Sequence, residues 1–139
     1  MIKELVHDDA ILSQPCEPAT AEDAAIAQDL IDTMESIDDA VCLAANQIGV
    51  TKAVAVYKDD NDQVHVMYNP KMMLGLGAFK CEERCLSHED AHKVTRFIKI
   101  KVSYDELVDG ALKNRRRDFT DWEAQMIQHM IDHCNGKLV

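Results

Sequence analysis

Apolar residues recur every three to four positions in two segments, one near each end of the chain. The first segment, residues 20–37, has this helical spacing, with Thr20 as a cap and Asp23 in the first turn. The second segment, residues 120–135, repeats the spacing close to the C-terminus. The pattern therefore predicts an N-terminal and a C-terminal helix.

The C-terminal helix is predicted to have two different faces. Thr120 and Glu123 are expected to form a capping box at its start, and Gly136 to end it. A helical wheel places one set of residues on a narrow polar face, namely Asp121, Gln125, Gln128, Asp132 and Asn135. The opposite face carries Trp122, Met126, His129, Met130 and His133. Both histidines are therefore expected to point inward.

Between the helices, short β-rich runs are separated by Gly, Pro, Asn and Asp. Residues 53–57 and 64–68 flank a polar loop and predict a hairpin, after which Asn69 and Pro70 are expected to break the strand. Other runs predict further strands, at residues 71–74, 78–82, 94–104 and 112–119. This order predicts a single α+β domain over residues 1–139, with antiparallel β-sheets packed around the C-terminal helix.

The composition and charge of the chain limit the kinds of molecule that it is expected to bind. The chain has 139 residues and a net charge of -10, so its surface should repel nucleic acid and anionic membranes. Residues 115–117, three arginines, are a local exception that we interpret as a solvated turn or strand end. We expect neither a membrane span nor a secretory signal, and therefore a cytoplasmic protein. Five cysteines in mostly apolar contexts predict no disulfide framework.

A histidine pair is the first candidate for chemistry. His129 and His133 lie four residues apart, about one helical turn, so their imidazoles can converge on one metal ion. The residue between them is Met130, where metallohydrolases with this pattern carry glutamate. Without a third ligand, a pair of core histidines that binds no metal is an equal alternative.

Three segments together resemble the signature motifs of one enzyme family. They are residues 43–50 (LAANQIGV), residues 83–87 (ERCLS) and residues 128–133 (QHMIDH). In this order they resemble the motifs of peptide deformylases, metal-dependent enzymes that remove the formyl group from N-formylmethionine on new bacterial and organellar proteins. Residues 95–100 and 134–139 also resemble the family, so the resemblance covers the chain from about residue 12 onward.

The resemblance implies roles for individual residues. Cys85, His129 and His133 correspond to the metal ligands, and one thiolate with two imidazoles leaves a fourth position open, as in catalytic sites. Iron(II) is the metal expected from the family, with nickel, cobalt or zinc able to replace it. Gln47 and the backbone N–H of Leu86 correspond to donors to the formyl oxygen of an N-formylmethionyl peptide. Alternatively, Gln47 only caps a turn.

Other residues are expected near the ligands without acting on them. Glu83 is expected to support the ligands and to pair with a cation such as Arg96, whereas Asp132 is expected on the solvent face of the helix.

The chain departs from the family at several positions. Ala40 and Cys42 stand where the family has glycines, and Arg84 replaces the glycine before the ligand cysteine. Residues 88–92 replace the usual Pro-Gly turn, which predicts a remodelled loop. The glycine replacements predict a narrower cleft with an added cation.

Met130 is the largest departure. The family glutamate takes a proton from the attacking water and passes it to the leaving amine, which methionine cannot do. Met130 therefore predicts a slow enzyme or none, unless His88, Glu89 or His92 substitutes as the base. The alternatives are a catalytically inactive deformylase-like protein that binds metal or peptide, and a thiol or metal sensor that uses Cys85.

Overall fold

The computed structural model describes residues 1–87 and 91–138. Its three α-helices are α1 (Asp9–Leu12), α2 (Ala24–Glu35) and α3 (Asp121–Cys134). Its five strands are β1 (Cys42–Ala44), β2 (Val54–Lys58), β3 (Val64–Glu83), β4 (His92–Val108) and β5 (Ala111–Thr120). The predicted α+β class is confirmed, with one sheet where the sequence predicted more than one.

The sheet is an antiparallel meander with the strand order β1-β2-β3-β4-β5. The predicted hairpin is present as β2 and the start of β3, with Val54 opposite Tyr68 and Lys58 opposite Val64. The three arginines at 115–117 lie inside β5 and are exposed, so their interpretation as a turn or strand end was wrong.

Asn69 and Pro70 do not end a strand, contrary to the prediction. The pairing of β3 with β4 shifts register between Tyr68 and Lys71, and Asn69 adopts a φ of 54°. The Asn69 side chain bonds both backbone groups of Ala19, with the amide nitrogen of Ala19 at 2.7 Å and its carbonyl at 3.0 Å. A bulge tolerates proline because the bulged residue has no ladder hydrogen bond to lose. The strand therefore bends and continues to Glu83.

The predicted N-terminal helix is confirmed, with shorter bounds. Thr20 caps the helix as predicted and forms a capping box with Asp23, but residues 21–23 form a 3₁₀ turn before the α-helix begins. Helix α2 ends at Glu35, two residues before the predicted end. Its buried face packs against β1 and β2, and includes Ala27, Leu30 and Met34.

Helix α3 begins differently from the prediction and ends as predicted. Thr120 occupies the N-cap position without a side-chain cap hydrogen bond, so the capping box with Glu123 is not formed. Asp121 has a φ of 54°, in the left-handed region that residues other than glycine seldom adopt. At the other end Gly136 has a φ of 74°, and its amide donates to the carbonyl of His133 at 3.0 Å.

The predicted faces of α3 are partly wrong. Gln128 is only 4% exposed, because its side chain bonds the amide and carbonyl of Phe97 at 2.9 Å each. Trp122, placed on the inward face, is 49% exposed. The polar face of α3 therefore packs against the backbone of β4. A helical wheel shows only the residues of one helix, so it could not predict this contact.

The core has two main parts. One lies between α2 and strands β1 and β2, and the other lies between α3 and the sheet. In the second part, Ile127 packs with Ile100, Val102 and Phe119, all at most 2% exposed. This packing holds α3 against β4 next to the end of β3. Within residues 1–87 and 91–138, no helix is long and apolar enough to cross a membrane.

Candidate metal centre

Helix α3 brings its two histidines together on the buried face. His129 and His133 are 6% and 1% exposed, and their Nε2 atoms lie 3.1 Å apart. The rings are inclined at 72° with centroids 4.8 Å apart. Two imidazole nitrogens so close together in a buried position can be bridged by one shared cation.

Cys85 completes the group from outside the helix. It follows the end of β3 and is partly exposed. The ligand atoms of Cys85, His129 and His133 all lie within 4.8 Å of one another. A tetrahedral ion with bonds of about 2.0 to 2.3 Å spaces its ligand atoms by roughly 3.3 to 3.7 Å. The donors therefore fit one divalent ion after small adjustments.

Glu83 sets the orientation of His129. The Nδ1 atom of His129 donates to Glu83 Oε1 at 2.8 Å, which leaves Nε2 directed towards the other donors. A carboxylate in this position fixes the tautomer of a ligand histidine and increases its basicity. Burial by itself raises the pKa of Glu83, but hydrogen bonds from His129 and Arg96 and the charge of Arg96 lower it to about 2. Glu83 is therefore ionised at neutral pH.

Arg96 connects three elements behind the centre. Its guanidinium donates to both oxygens of Glu83, at 2.9 and 2.6 Å, as the sequence predicted. It also donates to Asp132 at 2.6 Å, so Asp132 is paired and partly buried, not on the solvent face as predicted. Arg96 is 4% exposed, and these contacts balance its charge. The network joins β3, β4 and α3.

Gln47 makes two hydrogen bonds, one through each end of its side-chain amide. Its Oε1 accepts from the amide of Ala44 at 3.0 Å, at the start of the 3₁₀ turn Ala45–Ile48. Its Nε2 donates to Ser87 Oγ at 3.3 Å. The backbone contact fixes which end of the amide is the nitrogen, and Gln47 is among the residues that line the cavity described below. Capping and donation are therefore compatible in one residue.

A cavity of about 400 Å³ opens beside the three donors. Residues 39–42, residues 82–86 and one side of α3 line it, together with Gln47. Leu86, the predicted backbone donor, is among the lining residues. The departures at Ala40, Cys42, Arg84 and Met130 all lie on its wall as well. Burial raises the pKa of the Cys42 thiol to about 12, with further contributions from Glu83 and Cys85.

Met130 sits on the buried side of this cavity. It is 2% exposed and packs with Ala44 and Ala55, with Cys42 against the same cluster. His92, considered as a substitute base, begins β4 opposite Glu83 and is not among the residues that line the cavity. His88 and Glu89 lie outside the described residues.

Two residues near the centre were missed by sequence reasoning. Asn46 is fully buried and its Nδ2 donates to the carbonyl of His133 at 2.8 Å. Ser87 is 2% exposed and accepts the hydrogen bond from Gln47. Asn46 lies in the motif at residues 43–50 and Ser87 in the motif at residues 83–87. The available signal was the presence of each polar residue inside a motif that also contains a candidate site residue.

Cys85, His129 and His133 on this α+β fold could hold a single divalent ion beside the cavity, with a carboxylate engaged behind one histidine. This is the arrangement of the class of metal-dependent enzymes that keep one position of the ion open. Residues 2–139 match the family model described as Polypeptide deformylase. The chain therefore belongs to the polypeptide deformylase family, whose function is that of a hydrolase.

Individual relatives agree with this assignment. The peptide deformylase of Clostridium beijerinckii is 36% identical over 140 residues, which is 100% of each chain. Peptide deformylase 3 of Shewanella oneidensis is 40% identical over 113 residues, or 79% of this chain and 68% of that protein. A peptide deformylase from Legionella pneumophila has a solved structure with a TM-score of 0.85 and 30% identity, covering 99% of this chain and 83% of that one.

Proposed function

We propose that this protein is a metal-dependent hydrolase of the peptide deformylase type, acting on N-formylmethionyl peptides, with turnover that is slow or impaired. The observation that carries the proposal is the group of three donor atoms within 4.8 Å of one another beside a cavity of about 400 Å³. A cytoplasmic location is part of the proposal, supported by the family assignment and the net charge of -10.

Cys85, His129 and His133 are the proposed metal ligands. Iron(II) is proposed as the native ion, with nickel, cobalt or zinc able to replace it, because one sulfur and two nitrogens suit all four. When bound, a divalent ion supplies Lewis-acid chemistry and lowers the pKa of water at its open position. The chain's part is to orient His129 through Glu83 and to exclude bulk water with buried walls.

Gln47 and Leu86 are the proposed donors to the formyl oxygen. Gln47 is supported by its fixed amide orientation, since Oε1 is held by the backbone of Ala44. A neutral donor stabilises negative charge as it develops and needs no proton of its own. Leu86 follows Cys85 and lines the cavity, which supports a role for its backbone N–H.

Met130 is the reason for proposing impaired turnover. It occupies the position of the family's proton-transferring glutamate, and its thioether neither accepts nor donates a proton. General acid–base catalysis contributes about 10² to 10⁴ in rate. We therefore expect a rate lower than that of a glutamate-bearing deformylase by about this factor.

A second candidate function is a catalytically inactive deformylase-like protein that binds metal or peptide. The packing of Met130 favours it, because the side chain is 2% exposed among Ala44, Ala55 and Cys42. An apolar group that is well packed in this position fits a site that no longer transfers protons. The three donors and the cavity are retained under either function.

A formate-release assay separates the two functions. Purified protein is loaded anaerobically with iron(II) and given a formyl-methionyl peptide, beside Met130→Glu, Met130→Gln and Cys85→Ala. We expect Met130→Glu to raise the rate by about 10² to 10⁴. Met130→Gln is the matched control, because its amide has a similar size and polarity but no proton to transfer.

The outcomes have different meanings. Slow release in the parent that Cys85→Ala abolishes supports an impaired enzyme. A silent parent in which Met130→Glu restores release supports the inactive binding protein with an intact site. Silence in every variant contradicts the impaired enzyme and favours the binding protein. An equal gain with Met130→Gln contradicts the role of proton transfer at position 130.

A further inference from the structure

The cavity beside the three donors contains an unusual cation. Arg84 is the only lysine or arginine among the described residues that line it. The side chain is exposed, and within residues 1–87 and 91–138 it has no ion pair. Its position on the cavity wall, next to the proposed ligand Cys85, distinguishes it from other exposed arginines such as Arg116.

The other charged residues that line the cavity do not form an ion pair with Arg84. Glu83 is already engaged by Arg96 and by His129. Asp39 and Glu82 also line the cavity, but both are exposed and neither forms a salt bridge with Arg84. Met130 adds no negative charge on the inner side. Arg84 is therefore left to interact with whatever enters the cavity.

We propose that Arg84 binds a carboxylate of the ligand that occupies this cavity. The proposal rests on the proposed function and narrows its substrate class to formylmethionyl peptides that carry a negative charge close to the methionine. The carboxylate has two possible sources, the C-terminus of a short formylated peptide or an acidic side chain that follows formylmethionine.

The chemistry of arginine suits this role. Its planar guanidinium presents paired N–H donors that match the two oxygens of a carboxylate, and its charge is constant at all relevant pH values. Exposure limits the gain, since solvent and salt screen ion pairs at a surface. We therefore expect about a fivefold preference for a carboxylate ligand over a neutral one at low salt.

Calorimetric titration of the zinc-loaded protein tests the proposal without relying on turnover. Two ligand pairs distinguish the sources: formyl-Met-Ala against its C-terminal amide, and formyl-Met-Asp-amide against formyl-Met-Asn-amide. The variants are Arg84→Gln, which removes the charge, and Arg84→Lys, which keeps it. Arg116→Gln is the control, because Arg116 is exposed on β5, outside the cavity lining.

In the parent and in Arg116→Gln, we expect the carboxylate member of at least one pair to bind about fivefold more tightly. Arg84→Gln should remove this preference with little change for the neutral ligands, and Arg84→Lys should keep part of it. Equal affinities within both pairs in the parent, or a preference that survives in Arg84→Gln, overturn the role of Arg84 and leave the proposed function standing. If no formylated peptide binds, neutral or charged, both are overturned.

Discussion

At the scale of single residues, metal ligation and proton transfer belong to different positions. His129 and His133 direct their Nε2 atoms to one point, whereas Met130 occupies the neighbouring position of the same helix turn. Replacing the residue between two ligands changes the chemistry without moving either donor. The family resemblance predicted this arrangement, and the geometry of the three donors is consistent with it.

Glu83 should control metal affinity through His129. We expect Glu83→Gln to weaken metal binding by about 10- to 100-fold, because an amide holds the imidazole less strongly than a carboxylate and leaves Arg96 unbalanced. Competition with a chromogenic chelator measures the Kd. Glu82→Gln, a change at the exposed neighbour, should bind metal as the parent does. Equal Kd values for Glu83→Gln and the parent, with both proteins folded by circular dichroism, would contradict this role.

At the scale of elements, α3 carries the two histidines and its C-terminal end is firmly held. Asn46 bonds the carbonyl of His133, and Gly136 turns the chain against the segment before Cys16. The amide of Cys16 donates to the carbonyl of Cys134 at 2.9 Å. These contacts hold the C-terminal end of α3 against the N-terminal part of the chain.

Gly136→Ala should be strongly destabilising. A Cβ at this position would lie 2.6 Å from backbone atoms of Gln14 and Pro15, in addition to the cost of a φ of 74°. Gly110→Ala is the matched control, since its φ is 81° but nothing lies within 4 Å. We expect a loss of about 1 to 2 kcal/mol for Gly110→Ala and about 1 to 3 kcal/mol more for Gly136→Ala. Urea denaturation measures both, and equal losses would refute the close contact.

The β2–β3 hairpin depends on one carboxylate. Asp59 accepts hydrogen bonds from the amides of Asn61 and Gln63, at 2.8 and 3.0 Å, and lies 2.7 Å from His65 Nε2. The bond from His65 and the bond from Gln63 hold the pKa of Asp59 below its ordinary value of 3.8. The folded state therefore favours the ionised form, and this stabilisation is present above pH 3.8 and lost as the pH falls further.

Asp59→Ala should accordingly lower the melting temperature at pH 7, and the difference from the parent should shrink as the pH falls below 3.8. Thermal melts across pH 2.5 to 7 follow the difference, at roughly half-unit steps. The exposed Asp60 in the same loop supplies the control Asp60→Ala, for which little change is expected. A difference that grows towards low pH would show that the sign is wrong.

At the scale of the whole molecule, the candidate centre joins parts of the chain that are far apart in sequence. Cys85 follows β3, the histidines belong to α3, and Arg96 of β4 connects Glu83 to Asp132. An ion bound only by the folded arrangement stabilises the entire fold by linkage. Metal content should therefore be visible in global stability as well as at the site.

Metal binding should raise the melting temperature of the parent. Zinc or cobalt at about 100 times its Kd should add about 2.7 kcal/mol to the free energy of unfolding. Cys85→Ala should lose most of this gain because one ligand is missing. Cys81→Ala, a change at another partly exposed cysteine, should retain it. Scanning calorimetry with and without metal provides the comparison, and equal shifts in the two variants would exclude Cys85 as a ligand.

The sequence by itself determined the features that depend on residues close together in the chain. The cap at Thr20, the hairpin around residue 60 and the helix end at Gly136 all formed as predicted. Each depends on local backbone preferences and on hydrogen bonds over a few residues. The family motifs also named Cys85, His129 and His133, three residues that the structure brings together.

The tertiary structure alone decided which polar groups meet across the molecule. Arg96 reaches Asp132 over 36 residues, and Gln128 bonds Phe97 over 31. It also decided that Pro70 lies within a bulge of a continuing strand. A periodic pattern shows which face of an element is apolar, but it contains no information about the neighbour that this face will meet. Burial of a polar side chain depends on that neighbour, since only a partner of the right geometry offsets the loss of water.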